Sequence, residues 1–319
     1  MTGGDAGSST SDRVFIVVRH HTVYRYDRAV RLAPHLVRLR PAPGCRTPIT
    51  GYELVVSPAQ HTLRWIQDPL GNVVARVHFP WPAVELSFTV DFEADMTAIN
   101  PFAFVVDSQG WDGCFVYEPT MAHDLGPYLL NPTDPTGPRL EAVLSQLVPG
   151  PSGQGVQDVV EVLAETNRRV QAAVAYRLRP EPGVQSAEQT LASAVGSCRD
   201  SAWLLVEILR RVGFAARFVS GYLVQLMSDQ PARGEPALTA DVADLHAWAE
   251  VYLPGAGWLG LDPTSGLLTA ERHIPLAVAS QPAGAAPVSG TTEAAQVRFD
   301  FNSEVHRVAG PSREAGSYP

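Results

Sequence analysis

Three residues far apart in the chain carry the groups of a thiol-based acyl-transfer site. They are Cys198 in "GSCRDSAWLLVEILRRVGF", and His246 and Asp262 in "DLHAWAEVYLPGAGWLGLDPTSG". A thiolate is a strong nucleophile, an imidazole can take and return its proton, and a carboxylate can fix the imidazole's tautomer and orientation. The other two cysteines, Cys45 and Cys114, have no histidine or acid spaced to activate them.

Such chemistry requires elements that bring the three groups together. Ser197 followed by Asp200 has the spacing of a capping box, which predicts Ser197 as N-cap and Cys198 as the first helical residue. Cys198, Ala202, Leu205, Leu209 and Val212 then share one face that runs into the core. At a helix start the free N–H groups and the dipole favour a thiolate; Arg199 should help and Asp200 oppose. His246, Trp248, Glu250 and Tyr252 alternate with small apolar residues, the pattern of a strand, and "WLGLD" returns as its antiparallel partner after "PGAG". A four-residue loop would pair Leu253 with Trp258 and turn Asp262 to the wrong face. A five-residue loop or one bulge pairs Tyr252 with Trp258 and sets Asp262 opposite Trp248, diagonal to His246, and this shifted register is the expectation.

The remaining sequence divides by pattern into an α+β chain. Residues 1–12 are small and polar and read as a disordered N-terminus without a secretory leader. Residues 13–130 read as a β-rich, sandwich-like domain of about seven short strands, in which the adjacent His20 and His21 point to opposite faces and cannot chelate one metal together. A Pro/Gly-rich linker with one short helix spans 131–155. The catalytic core, 156–278, opens on a helix with apolar residues from Val156 to Val174, and an Ala/Gly/Pro-rich segment follows at 279–319, where only "QVRFDFNSEV" reads as ordered.

Composition narrows the function classes. The 319 residues carry 24 basic and 33 acidic side chains for a net charge of -9, and all the basic ones are arginine. No basic cluster is interleaved with aromatics as a nucleic-acid groove requires, and no apolar run is long enough for a membrane span. A cytoplasmic protein is expected, with free thiols, no phosphate loop, no metal cluster and no cofactor. A lysine-free chain would also spare a cross-linking enzyme from using itself as substrate.

The helix and hairpin stretches, in this order, resemble the core of the transglutaminase-like superfamily, a papain-like cysteine-enzyme fold, over about Val156 to Leu268. The strand-rich segment from Arg13 to about Asp107 is similar to the N-terminal domain that accompanies bacterial members. The resemblance implies Cys198 as nucleophile, His246 as base and Asp262 as orienting acid. It further implies a protein or peptide substrate, with hydrolysis favoured over transamidation; a binding module without turnover and an arylamine-acetylating enzyme using coenzyme A are the other readings. In some bacterial relatives a similar region precedes an ATP-dependent, amide-bond-forming region, which here would be a separate partner. Animal relatives use an upstream tryptophan in the oxyanion hole, absent here between the linker and Cys198. Gln185 and Gln189 are candidates for that role, Tyr222 and Trp248 are candidates for the substrate cleft, and Trp203 should pack in the core.

Overall fold

The computed structural model describes residues 13–107, 111–130, 136–147, 158–227 and 240–309. The reading made for 1–12 and much of that for 131–155 fall outside them. Six strands come first: β1 (Phe15–Val30), β2 (His35–Val37), β3 (Ile49–Ser57), β4 (Thr62–Gln67), β5 (Val73–His78) and β6 (Ala83–Asp95). Four helices follow, α1 (Pro119–Asp124), α2 (Gly126–Leu129), α3 (Pro138–Leu147) and α4 (Val159–Ala173). Next are β7 (Ala175–Tyr176), α5 (Ala187–Ser193), β8 (Val195–Gly196) and α6 (Cys198–Arg211). The chain then forms β9 (Ala216–Gln225), β10 (Val242–Leu253), β11 (Gly257–Asp262), β12 (Leu267–Leu268), β13 (His273–Ala279), β14 (Val288–Ser289) and β15 (Val297–Val308).

The period-two pattern of the first segment makes a sandwich, in which Ile16, Val18 and His20 of β1 point inward while Arg19 and Arg25 face solvent. Its sheets run β15-β1-β6-β3 and β14-β2-β5-β4. Each sheet is completed by a strand from the C-terminal segment, so the sandwich has six strands of its own and two borrowed ones, against the seven local strands expected. "QVRFDFNSEV" forms most of β15, and β14 is an ordered strand that the small, Pro-rich composition around it hides. His20 and His21 do face opposite ways: His20 bonds Thr22 and Ser303, and His21 bonds Thr89.

The second layer system is the antiparallel sheet β12-β11-β10-β9-β13 with α6 against it. Residues Asp200 to Arg210 of α6 are all buried, because α4, α5 and the sheet wrap the helix on every side. Trp203 lies in this core, as its place on the helix predicts. So do Trp111, Phe115, Tyr117 and Leu125, with Trp111 and Phe115 stacked on Phe214 at 5.3 and 4.8 Å. The segment from Trp111 to Leu125 thus packs with α6, while Met96, directly after β6, stays in the sandwich core. Burial of each such aromatic contributes roughly 1.5–3 kcal/mol, which fixes the axis of the helix that carries Cys198.

Glycine ends α6 where the sequence turns. Gly213 has φ +91°, its N–H bonds the Arg210 carbonyl at 3.1 Å and the Phe214 N–H bonds that of Leu209 at 3.0 Å, a Schellman closure. Beyond it, Tyr222 and Val224 of β9, Leu226 just after that strand, Ala243 of β10, and Ile274 and Leu276 of β13 join the sandwich core. The catalytic sheet and the sandwich therefore share one apolar interior. Among the described residues no helix is long and apolar enough to cross a membrane.

Candidate active site

Cys198 is the first residue of α6, with Ser197 as extended N-cap and a half-buried free thiol. Asp200 closes the box: its Oδ2 accepts from the Ser197 N–H and hydroxyl, each at 2.8 Å. Its other donors come from upstream. The Arg179 guanidinium spans both carboxylate oxygens at 3.0 Å, and the Gln185 N–H reaches Oδ1 at 2.7 Å. Burial alone would raise the Asp200 pKa, but Arg179 and these N–H and hydroxyl donors hold it below the ordinary value. The opposition to the thiolate expected of Asp200 is thereby cancelled by a cation. Arg199 does not point at the sulfur as a helper; it donates to the Arg179 and Glu181 carbonyls.

The hairpin has the shifted register. Tyr252 pairs with Trp258 and Ala249 with Leu261, so Asp262 stands at the level of Trp248, diagonal to His246. The loop differs from expectation, because Leu253 pairs with Gly257 and only Pro254, Gly255 and Ala256 are left to turn. Pro254 and Gly255, with φ +83° at the glycine and the Ala256 N–H on the Leu253 carbonyl at 3.1 Å, make a tight proline-glycine turn that this length needs.

His246 Nε2 lies 3.2 Å from Asp262 Oδ1, off the line of a straight hydrogen bond, and both side chains are buried. Burial alone would lower the His246 pKa; Asp262 and Cys198 together outweigh it and push it up to about 10. For Asp262 burial works upward, yet the two histidines beside it, His246 and His273, hold its carboxyl well below the usual range. The imidazole is thus flanked by a carboxylate on one side and a thiol on the other, within reach to exchange a proton with the sulfur.

The acid is tightly held. Oδ1 accepts the Thr264 N–H at 2.9 Å, and Oδ2 accepts the Ser265 hydroxyl at 3.1 Å and contacts His273 Nε2 at 3.2 Å. Asn167 of α4, fully buried, donates to the Asp262 and Leu267 carbonyls at 3.2 and 3.0 Å and ties the end of β11 to the helix. Sequence reasoning missed His273, eleven residues beyond Asp262, and Asn167, 95 residues before it, since no spacing rule links either of them to the carboxylate. It also missed Tyr176, an exposed residue of β7 whose backbone pairs with Gly196, two residues before Cys198.

Four other sequence candidates have different positions from those expected. Tyr222 is fully buried in the shared core, its ring 5.2 Å from Phe92 and 5.5 Å from His20, and lines no cleft. Trp248 is buried behind the imidazoles, 6.4 Å from His246 and 5.3 Å from His273, because the hairpin's large face turns into the protein here. The Gln185 side-chain oxygen accepts from Thr190, and that of Gln189 from the Ser186 N–H in a second capping box. Both amides brace α5. His246, Asp262 and His273 also offer three ligand atoms within 4.8 Å of one another, the donor types of a metal site; the 3.2 Å imidazole–carboxylate contacts account for their clustering by hydrogen bonding and charge.

Comparison with known proteins bears on the family and the fold. Residues 16–95 match the bacterial transglutaminase-like N-terminal region, and residues 151–263 match the transglutaminase-like superfamily. The uncharacterized protein Rv2569c of Mycobacterium tuberculosis is 28% identical over 271 residues, 81% of either chain. A protein-glutamine gamma-glutamyltransferase of Pseudomonas aeruginosa is 35% identical over 95 residues, which are 28% of this chain and 13% of that one. The solved structure of "a Putative Cysteine Protease from Cytophaga hutchinsonii" superposes with TM-score 0.65 at 16% identity, covering 94% of this chain and 93% of that one, a likeness of fold. With an N-terminal strand-rich region and a papain-like core matched in that order, this chain belongs to the transglutaminase-like superfamily.

Proposed function

We propose that this protein is a cysteine-dependent hydrolase of an amide bond in a protein or peptide, with Cys198, His246 and Asp262 as its triad. The observation that carries the reading is the place of the His246 ring, between a carboxylate 3.2 Å from Nε2 and a thiol at a helix N-terminus. His246 takes the Cys198 proton, and the sulfur attacks the amide carbonyl carbon. The oxyanion is met by helix-start N–H groups, including that of Cys198. Collapse breaks the C–N bond as His246 returns the proton to the leaving amine, leaving a thioester. Water then attacks the thioester with His246 again accepting the proton, and the acid and free thiol are released.

An amine in place of water would make the same site a transamidase. That second reading is favoured by the similarity over 95 residues to a protein-glutamine gamma-glutamyltransferase. Iodoacetamide labelling tests the shared step: Cys198 should alkylate well below pH 8 and lose that behaviour in His246→Ala, whereas an ordinary thiol in both proteins means a binding module. Mass spectrometry of the acyl-enzyme trapped from a peptide library, chased with water or a primary amine, then separates the two outcomes.

A further inference from the structure

One carboxylate serves two imidazoles. Asp262 presents Oδ1 to His246 and Oδ2 to His273, each 3.2 Å from an Nε2 atom. A carboxylate only accepts, so the His273 contact requires the proton on its Nε2. The other nitrogen, Nδ1, is buried without a hydrogen-bond partner among the described residues. Leaving a polar atom unpaired inside a protein is unfavourable, and an apolar side chain would pack as well against the Trp248 ring that His273 meets edge-on at 5.3 Å. What the imidazole adds here is its N–H on Asp262.

We propose that His273 is a positioning residue for the acid–base pair: it shares the Asp262 carboxylate with His246, fixes which oxygen faces the reacting ring, and disperses charge that would otherwise hold the His246 proton too tightly for transfer to the leaving amine. This rests on the triad reading above. The Thr264 N–H and Ser265 hydroxyl also grip the carboxylate, so the distinctive share of His273 is the charge it draws off. The titratable groups around the pair are Cys198 on α6 and His273 on β13. Tyr176 and Asp244 stand toward the rim, and Asp200 is neutralised by Arg179.

The test uses the intact protein and iodoacetate, an anionic alkylating agent attracted by the His246 charge, so that the alkaline fall in labelling rate marks loss of the imidazolium. His273→Ala should move that alkaline limb upward by about half a pH unit or more and lower the plateau rate several-fold. His273→Gln, which returns an N–H close to the position of Nε2, should restore both, with melting curves confirming that each variant is folded. A bell-shaped wild-type profile whose limb stays put or falls in folded His273→Ala overturns the role of His273 alone, as does a glutamine variant no better than alanine. A wild-type profile without an alkaline limb removes the ion pair itself, and the proposed function with it.

Discussion

The guanidinium of Arg179 lies across the carboxylate of Asp200, Nε on one oxygen and Nη2 on the other at 3.0 Å, two residues from the sulfur of Cys198. An acid in the first turn of a nucleophile helix would ordinarily repel a thiolate. Here it caps the helix while its charge is satisfied from outside.

Replacing Arg179 by methionine should therefore do two things at once. Asp200 is wholly buried, so stability should fall by about 2–4 kcal/mol in urea titration. Labelling of Cys198 near pH 6 should slow by roughly tenfold as an unpaired anion faces the sulfur. Arg179→Met combined with Asp200→Asn should recover much of the rate. A single variant that labels like wild type would show that the pair does not shape thiol reactivity.

Asn167 anchors the end of β11 from α4, so Asn167→Ala should cost about 1–3 kcal/mol of stability and loosen Asp262 through its backbone while leaving its carboxylate contacts in place. The expected signature is a lower urea midpoint together with slower iodoacetamide labelling. Unchanged labelling in a destabilised protein would assign Asn167 to the fold alone.

The raised pKa of His246 fixes the sign of a pH effect on stability. Its ordinary value is 6.5 and its value in the fold is about 10. Between those limits the folded His246 holds a proton that the same side chain has lost in the unfolded chain. The associated stabilisation is complete below about 6.5 and declines as pH rises toward 10, by at most about 1.4 kcal/mol per pH unit. Urea midpoints taken near neutrality and two units above should diverge more in Cys198→Ser than in Cys198→Ser combined with His246→Gln, a background in which no thiolate offsets the proton on His246. Equal slopes would mean that His246 carries no extra proton in the fold.

Gly221 of β9 pairs directly with His246 of β10, and a Cβ there would collide with the Trp248 ring and the Ile274 carbonyl. Gly221→Ala should destabilise by roughly 1–3 kcal/mol through overpacking. It should also change Trp248 fluorescence, since the ring must shift. A neutral substitution would show that the sheet yields more easily than this contact implies.

Local rules could place Cys198, His246 and Asp262 because each sits on a strongly patterned element. The capping-box spacing at Ser197 and Asp200 marks the helix start, and the alternation from His246 to Tyr252 marks the strand. The hairpin register followed from the faces that Trp258 and Asp262 must take, and the Pro-Gly turn then closed with fewer loop residues than expected. Tyr222 and Trp248 could not be placed this way, since a large aromatic beside a site reads the same whether it lines a cleft or fills a core. The contacts of Asp262 with His273 and Asn167 were illegible for another reason: His273 follows by only eleven residues but across an irregular turn, and Asn167 reaches the Asp262 carbonyl from a helix 95 residues away, so neither has a period that sets its direction. Arg179 likewise belongs to an irregular segment with no period to betray its direction.

The two sheets at the front of the molecule borrow β14 and β15 from beyond the catalytic core, so the segment that folds around Cys198 is enclosed in sequence by the parts of another layer. During synthesis every side chain that grips the triad has been made by the time β13 is complete, while β1 still awaits its outer neighbour. The exposed flank of β1 is then an open template for pairing with other nascent copies until residue 308 leaves the ribosome. Biogenesis of this protein is thus most vulnerable to misassembly at its front, late in translation, when the residues around Cys198 have already been made.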